Sequence, residues 1–405
     1  MGIFANKNYD LFFFGRIVSC VGDAVFLFVL VWYILDTTGS AANTGLLMML
    51  EMAPGIVLAA FAGVVLDRFN RKNILSAADL FRGLILLAMI LVEVFGTMSL
   101  GVILLCTLFI GFCKAFDNPA CTSLIPNIVD ESLFQQAYSI DTMVNNASQI
   151  AGAIIGAVLY SAIGVIPALI VCCTAFFIAS AAELFIRVNR QATAGSGVFN
   201  EIKEGFNYLL EQKSLLAMFM FFVVLNFFLA PMIYVYMPYI FNIILNATAE
   251  QLSFTRVAFG AGVVLGSLIV SLIKMGDRKS PVMMRGLFLF AFSILGFMVP
   301  VLPAVNFSLN ASVVFYIANG LVTGLFFGIV SVSSTIIFQS NVIDDYRGRV
   351  TALLVAFGTG AMPLGYLIGG YLTDFLPMHI VLLATDAVLI LVCVFMSFSK
   401  RIKVL

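Results

Sequence analysis

The sequence predicts an all-α membrane protein with twelve transmembrane helices in two pseudo-symmetric six-helix bundles. Three observations carry this reading. Of 405 residues, 62% are hydrophobic and only 10% are charged, against about 25% charged in soluble domains. The mean hydropathy is +1.10. The basic residues gather in alternate loops. A soluble fold could not bury so much apolar surface, which excludes an ordinary cytosolic enzyme, a secreted disulfide scaffold and a disordered chain. The net charge is zero, so no nucleic-acid partner is expected.

A helix crossing about 30 Å of hydrocarbon needs about 20 apolar residues. Twelve such runs occur, at 11–35, 43–66, 74–96, 99–122, 136–161, 164–187, 215–241, 252–274, 281–301, 310–337, 349–375 and 378–398. Strand-period alternation is absent, which argues against a β-barrel. Lys7 precedes span 1; Arg68, Arg71 and Lys72 follow span 2; Arg187, Arg190, Lys203 and Lys213 follow span 6. Lys274, Arg278, Lys279 and Arg285 flank the turn after span 8, Arg347 and Arg349 follow span 10, and Lys400, Arg401 and Lys403 end the chain. These are 17 of the 21 basic residues, all on one side, and the opposite loops hold none. The positive-inside rule therefore predicts an even number of spans with both termini cytoplasmic. No cleavable signal peptide is expected, because the first apolar run is too long and lacks a small-residue cleavage site. Asn6 stands where a myristoylation signal needs Ser or Thr.

The longest loop divides the chain into an N-terminal bundle (1–187), a cytoplasmic linker (188–214) and a C-terminal bundle (215–405). In the linker, Phe199, Ile202, Phe206 and Leu209 or Leu210 recur at helical spacing between polar residues. That pattern predicts a short amphipathic helix on the membrane surface.

The two halves echo one another. Asp67-Arg68 follows span 2 and Asp277-Arg278 follows span 8; Asp130-Glu131 follows span 4 and Asp344-Asp345 follows span 10. A duplicated six-helix unit is the plan of many secondary transporters, with the substrate near the midplane. No G-x-x-x-x-G-K-[ST] loop occurs, so an ion gradient or the substrate's own gradient is the expected driving force. Seven cysteines and one histidine, His379, show no metal-ligand spacing, and no nucleophile–base constellation supports catalysis. No catalytic residue, metal or cofactor is expected, apart from protons as coupling ion.

Gly63-Val-Val-Leu-Asp67-Arg68-Phe-Asn70-Arg71-Lys72 resembles the G-x-x-x-D-R-x-G-R-[RK] loop signature of the major facilitator superfamily. Asn70 replaces the second glycine; Asn tolerates left-handed backbone, so the turn is expected to survive. Ser19-Cys-Val-Gly22-Asp23, Thr38-Gly39-Ser40, Ala78-Asp79-Leu-Phe-Arg82-Gly83, Asp344-Asp345-Tyr-Arg347-Gly348-Arg349, Pro363-Leu-Gly365 and Gly369-Gly370 are similar to the bacterial drug and siderophore exporters that include macrolide efflux proteins. The resemblance runs along almost the whole chain. It implies two bundles rocking about a central cavity, and a monomer moving a small amphipathic substrate across a bacterial inner membrane in contact with lipid. It also implies that Asp67, with Gly63 in its loop, closes the cytoplasmic side near the start of span 11, and that Arg68, Arg71 and Lys72 pair with acids such as Asp130 or Glu131. Antiporters of the superfamily often carry G-x-x-x-G-P-x-x-G-G in span 5. Here Gly152 and Gly156 remain as helix-packing residues while the proline and final glycines are missing.

An ionisable group in hydrocarbon is costly and needs a reason. Asp23, mid-span, is the first candidate for proton or cation coupling. Glu51, beside Pro54, is a candidate for receiving a proton or a cationic substrate, or for partnering Arg256. Asp79 and Arg82, three apart, read as an ion pair bracing the gate. Lys114 and Asp117 have the same spacing and read as a self-paired couple or an anion site. Asp141, Asn145 and Gln149 form a polar stripe at spacing four, expected to face the cavity or span 4, with Asp141 a possible second protonation site. Asn226 and Asn319 are candidate polar substrate contacts. The expected function is proton-coupled efflux of amphipathic drugs or related natural products. Gly22-Asp23 and Asn118-Pro119-Ala120 are also similar to bacterial lysophospholipid flippases, which gives the alternative of lipid transport without proton antiport. A substrate sensor is a third reading, although no long soluble appendage is present.

Overall fold

The computed structural model describes residues 3–188, 198–272, 280–343, 346, 350, 353 and 356–398. Every regular element among them is helical, and eleven helices are long and apolar enough to cross a membrane. The expected span 349–375 is described only in part. Asp277-Arg278, Asp344-Asp345 and Arg347-Gly348-Arg349 lie outside the described residues. The chain divides into two compact units: Met1–Thr37 with Leu46–Gly195, and Thr38–Gly45 with Ser196–Leu405.

The first unit is built from α1 (Lys7–Thr38), α2 (Ala41–Arg68), α3 (Arg71–Phe95), α4 (Leu100–Ile128), α5 (Phe134–Ile163) and α6 (Val165–Leu184). Their starts are set locally. The Asn70 side chain accepts from the Lys72 amide at 3.1 Å, and Ser99 accepts from Val102 at 3.4 Å, each satisfying a first-turn donor. Asn70 has φ −66° and ψ 117°. The residue in the second-glycine position is therefore an extended N-cap, not the left-handed turn residue expected; an amide side chain supplies a cap that glycine cannot. Left-handed backbone occurs instead at Gly164 (φ 84°), where α5 turns into α6.

Close approach in this unit rests on small residues. A Cβ at Gly152 would overlap the Ala24 side chain, and one at Gly156 would lie 3.2 Å from Phe28 Cβ, so α5 lies directly on α1. α3 and α6 run antiparallel. Ser76 Oγ lies 2.9 Å from the Ser180 carbonyl, Ser180 Oγ donates to the Ser76 carbonyl at 2.8 Å, and Gly83 abuts the Phe177 ring.

The second unit contains α7 (Val198–Glu211), α8 (Lys213–Pro231), α9 (Ala249–Leu272), α10 (Ser280–Leu295), α11 (Leu309–Asn341), α12 (Met362–Phe375) and α13 (Met378–Phe398). Beyond Pro231 the α8 span continues through π-helical turns at Met232–Tyr236 and Ile240–Ile244. Prolines at 231 and 238 lack the amide an α-helix needs, and the wider turns absorb the mismatch. α7 occupies the place predicted for the amphipathic helix. Tyr208 stacks on Tyr346 at 4.5 Å and Leu209 is fully buried, so one edge of α7 is covered by protein and not only by a membrane surface.

α9 and α11 meet through glycines on both sides. Cβ atoms at Gly262 and Gly266 would overlap the carbonyl oxygens of Leu321 and Leu325, and those at Gly324 and Gly328 would overlap the carbonyls of Phe259 and Val263. This is backbone-on-backbone packing of the kind small residues permit in membranes. The same unit includes the first turn of α2, where the Asp374 carboxylate accepts from the Ala41 amide at 2.7 Å and the Ala42 amide at 3.2 Å. An acid at a helix N-terminus satisfies free donors and complements the dipole.

Candidate functional site: a buried chain of charges in the first unit

Helical periodicity puts Arg16, Ser19 and Asp23 on one face of α1, Asp79 and Arg82 on one face of α3, and Lys114 and Asp117 on one face of α4. The three faces converge. Lys114 Nζ donates to Asp23 Oδ2 at 2.7 Å and also to Glu51 Oε1 of α2. Close contact of α2 with α4 makes this second bond possible: a Cβ at Gly111 would lie only 2.7 Å from the Glu51 carbonyl. Arg82 Nη1 stands 4.0 Å from Asp23, and Arg82 Nη2 is 3.1 Å from Asp79 and 3.0 Å from Asp117. Ser19 donates to Asp79 at 3.0 Å, and the Arg82 guanidinium lies 5.1 Å from the Phe176 ring centroid. Arg16 completes the set. It reaches Asp117 and Asp141 at 2.8 Å each, Asn118 at 2.9 Å and Asn145 at 3.3 Å.

The result is a run of alternating sign, Glu51–Lys114–Asp23–Arg82–Asp117–Arg16–Asp141, with Asp79 attached at Arg82. Arg16, Asp23, Glu51, Asp79, Arg82 and Asp117 are all buried. The Lys114 side chain is 30% exposed, so the chain opens at that residue. Shifting a proton onto any one carboxylate would unbalance its cationic neighbour, which then turns to the next acid. That is the chemical capacity of the arrangement.

Several expectations change. Lys114 and Asp117 do not pair with each other: Lys114 goes to Asp23 and Glu51, while Asp117 goes to Arg16 and Arg82. Acids on neighbouring helices offer better approach than a residue one turn away on the same helix. Glu51 finds Lys114. Asp79 and Arg82 pair as expected, but Arg82 is a hub and not a local brace. Asp141 and Asn145 face Arg16, while Gln149 is exposed. Asn226 donates to the Phe222 carbonyl at 2.9 Å and Asn319 to the Ser293 carbonyl at 3.1 Å, so each amide serves its own helix or a neighbour. In the loop signature, Arg71 donates to the Ser123 carbonyl at 3.0 Å and Lys72 to the Leu184 carbonyl at 3.1 Å. Arg68, Asp130 and Glu131 are exposed, and a Cβ at Gly63 would meet nothing within 4 Å. The Asp67 side chain lies outside the described residues. Among the described residues no group of three His, Cys, Asp or Glu could hold a metal ion.

Two residues escaped the sequence reading. Arg16 was visible only as a basic residue inside span 1, and a guanidinium there demanded acids such as those on α4 and α5. Glu183 sits one residue from the end of α6, inside the expected span 164–187 but not singled out there, and it is 1% exposed.

The sequence profile described as Major Facilitator Superfamily matches residues 12–244. The chain belongs to the Major Facilitator Superfamily. It is 23% identical over 376 residues to macrolide efflux protein A of Streptococcus pyogenes, covering 91% of each chain. It is 24% identical over 391 residues to the multidrug efflux pump Tap of Mycobacterium tuberculosis, covering 92% of this chain and 89% of the other. A crystal structure of the nucleoside transporter NupG superposes with a TM-score of 0.75 at 14% identity, over 97% of this chain and 100% of that one. The superposition shows the shared fold. This member of the superfamily is a multi-pass membrane transporter whose relatives include drug and macrolide exporters.

Proposed function

We propose that this superfamily member exports amphipathic drugs or related natural products in exchange for protons, by alternating access in a bacterial plasma membrane. In this reading both termini are cytoplasmic and the chain works as a monomer. The observation that carries the reading is the Asp23–Lys114–Glu51 triad, in which one partly exposed cation holds two acids from different helices. A proton arriving at Asp23 or Glu51 removes half of the countercharge of Lys114. The freed ammonium then favours the remaining acid, and a cationic substrate competing for the same carboxylates loses its hold. The names of the efflux relatives support the substrate class.

The test uses everted membrane vesicles energised acid-inside and a pH-sensitive dye. Macrolides, lipophilic cations and lysophospholipids are added in turn. Drug-evoked proton efflux is expected, and Asp23→Asn should abolish it while leaving folded protein in the membrane. Full coupled transport by Asp23→Asn would remove Asp23 from the mechanism. Flipping of labelled lysophospholipid with no proton signal for any drug would replace export by lipid transport.

A further inference from the structure

The first unit buries more acid than base. Asp23, Glu51, Asp79, Asp117, Asp141 and Glu183 face only Arg16, Arg82 and Lys114 in the interior network. Five of the six acids have a cationic nitrogen within 4.0 Å. Glu183 has no such ion pair among the described residues. Its residue exposure is 1%, and its Oε2 is fully buried with no hydrogen-bond partner. The Asp79 Oδ2 is in the same condition. An ionised carboxylate in such a place, with nothing to replace its water, costs several kcal/mol, and the usual relief is a bound proton.

The groups around Glu183 reinforce this. A Cβ on Gly15 of α1 would lie 3.3 Å from Glu183 Cγ, so α1 passes directly over the side chain. The charges acting on it are Arg16 from α1, Asp79 and Arg82 from α3, and Asp117 from α4, with Cys121 of α4 also nearby. From α5, Asp141 is tied to Arg16. Asp79 and Asp117 repel a charge at this place, and Arg16 and Arg82, each held by other acids, offset that repulsion without making an ion pair to Glu183.

The register of α3 on α6 places this carboxyl. Ser76 and Ser180 face each other across the antiparallel pair. Asp79 lies three residues beyond Ser76 and Glu183 three beyond Ser180, in opposite directions, so their backbones are about 9 Å apart along the axis. Side chains on a helix lean toward its N-terminus, so these two lean toward each other. Glu183 is the nearer to the bundle end where Lys72 meets Leu184.

We propose that Glu183 is a proton-binding site of the first unit, lying between the charge chain and the end that carries the basic loops. The inference deepens the proton-coupling reading, and its role in transport rests on that reading; the bound proton itself does not.

The test is infrared spectroscopy of the purified full chain, unlabelled and labelled with carboxyl-13C glutamate. At neutral pH the wild-type protein should show a protonated-carboxyl C=O stretch that moves on glutamate labelling. It should vanish in Glu183→Gln, survive in Glu51→Gln and Asp386→Asn, and be unaffected by replacing K⁺ with Na⁺. The labelled wild type answers even if Glu183→Gln fails to fold. No label-sensitive band, a band that persists in Glu183→Gln, or one removed by Na⁺ would overturn the proposal. Vesicles of the wild type that show the band without drug-evoked proton movement would sink the export reading and leave the proton site. Vesicles that antiport without the band would do the reverse.

Discussion

In the first unit α1 to α5 are tied through charged side chains from five helices; in the second, α9 and α11 are tied through Gly262, Gly266, Gly324 and Gly328 with no charge at the contact. Both devices solve the same problem, since lipid gives helices no hydrophobic reason to associate. They differ in what they permit. Backbone-on-backbone contact has one good geometry, and any side chain added there collides. A chain of ion pairs has several arrangements of similar energy, because each cation has two or three acids to choose between. The first unit is thus the one equipped to change partners, and the second the one equipped to stay rigid. Asp386 fits the contrast: the buried acid of α13 has neither carboxyl oxygen hydrogen-bonded, so it belongs to no such chain.

Removing one charge tests the first half of this contrast most severely. Arg16→Ala strands Asp141 and leaves Asp117 with Arg82 alone, and breaking a buried pair this way costs about 3–5 kcal/mol. Detergent-solubilised Arg16→Ala should unfold at markedly lower temperature, and adding Asp141→Asn should restore part of the loss. Equal melting of the single and double variants would mean the pairs do not act as a set.

The second half is tested by Gly324→Ala. One methyl group set against the Phe259 carbonyl should cost about 1–3 kcal/mol as overpacking. Melting by size-exclusion-detected aggregation should fall, with the charge-dependent assays unaffected. An unchanged melting temperature would show that α9 and α11 can separate without penalty.

Within the first unit, Gly152→Ala should destabilise by about 1–2 kcal/mol, because its new methyl meets Ala24. Ala24→Gly in the same chain should recover part of it, since the tightest collision is with the Ala24 methyl while the backbone of Ala24 and Val25 stays 3.0 Å away; no rescue at all would place the damage elsewhere. The smallest effect is expected at Gly63. A Cβ there meets nothing, so Gly63→Ala should change stability by no more than about 0.5 kcal/mol. A large loss would show that the loop signature needs its first glycine in a conformation other than this one.

The plan of membrane-spanning helices was legible because hydrocarbon thickness imposes a length on each apolar run, and Gly152 and Gly156 were legible because they stand where the superfamily's span-5 motif places glycines. The pairing of charges was not. Lys114 bonds to residues 91 and 63 positions away, and Arg16 to residues 101 and 125 away. Spacing within one helix says which residues share a face, but not which neighbouring helix that face will meet. The α9–α11 glycines were equally plain in the sequence, yet glycine is common in membrane helices for many reasons. Only the facing carbonyls reveal which ones are in contact.

The π-helical turns after Pro231 have a consequence for the chain's tolerance of length change. A wide turn holds one residue more than an α-helical turn in the same rise. Every side chain that follows is thereby carried around the axis by about 100° relative to a continuous α-helix. With two such turns in succession, the face that Phe241 presents is fixed by residue count as much as by residue type. Loss of a single amino acid between Met232 and Tyr236 would leave the span hydrophobic and helical, and would aim its C-terminal end at the wrong neighbours.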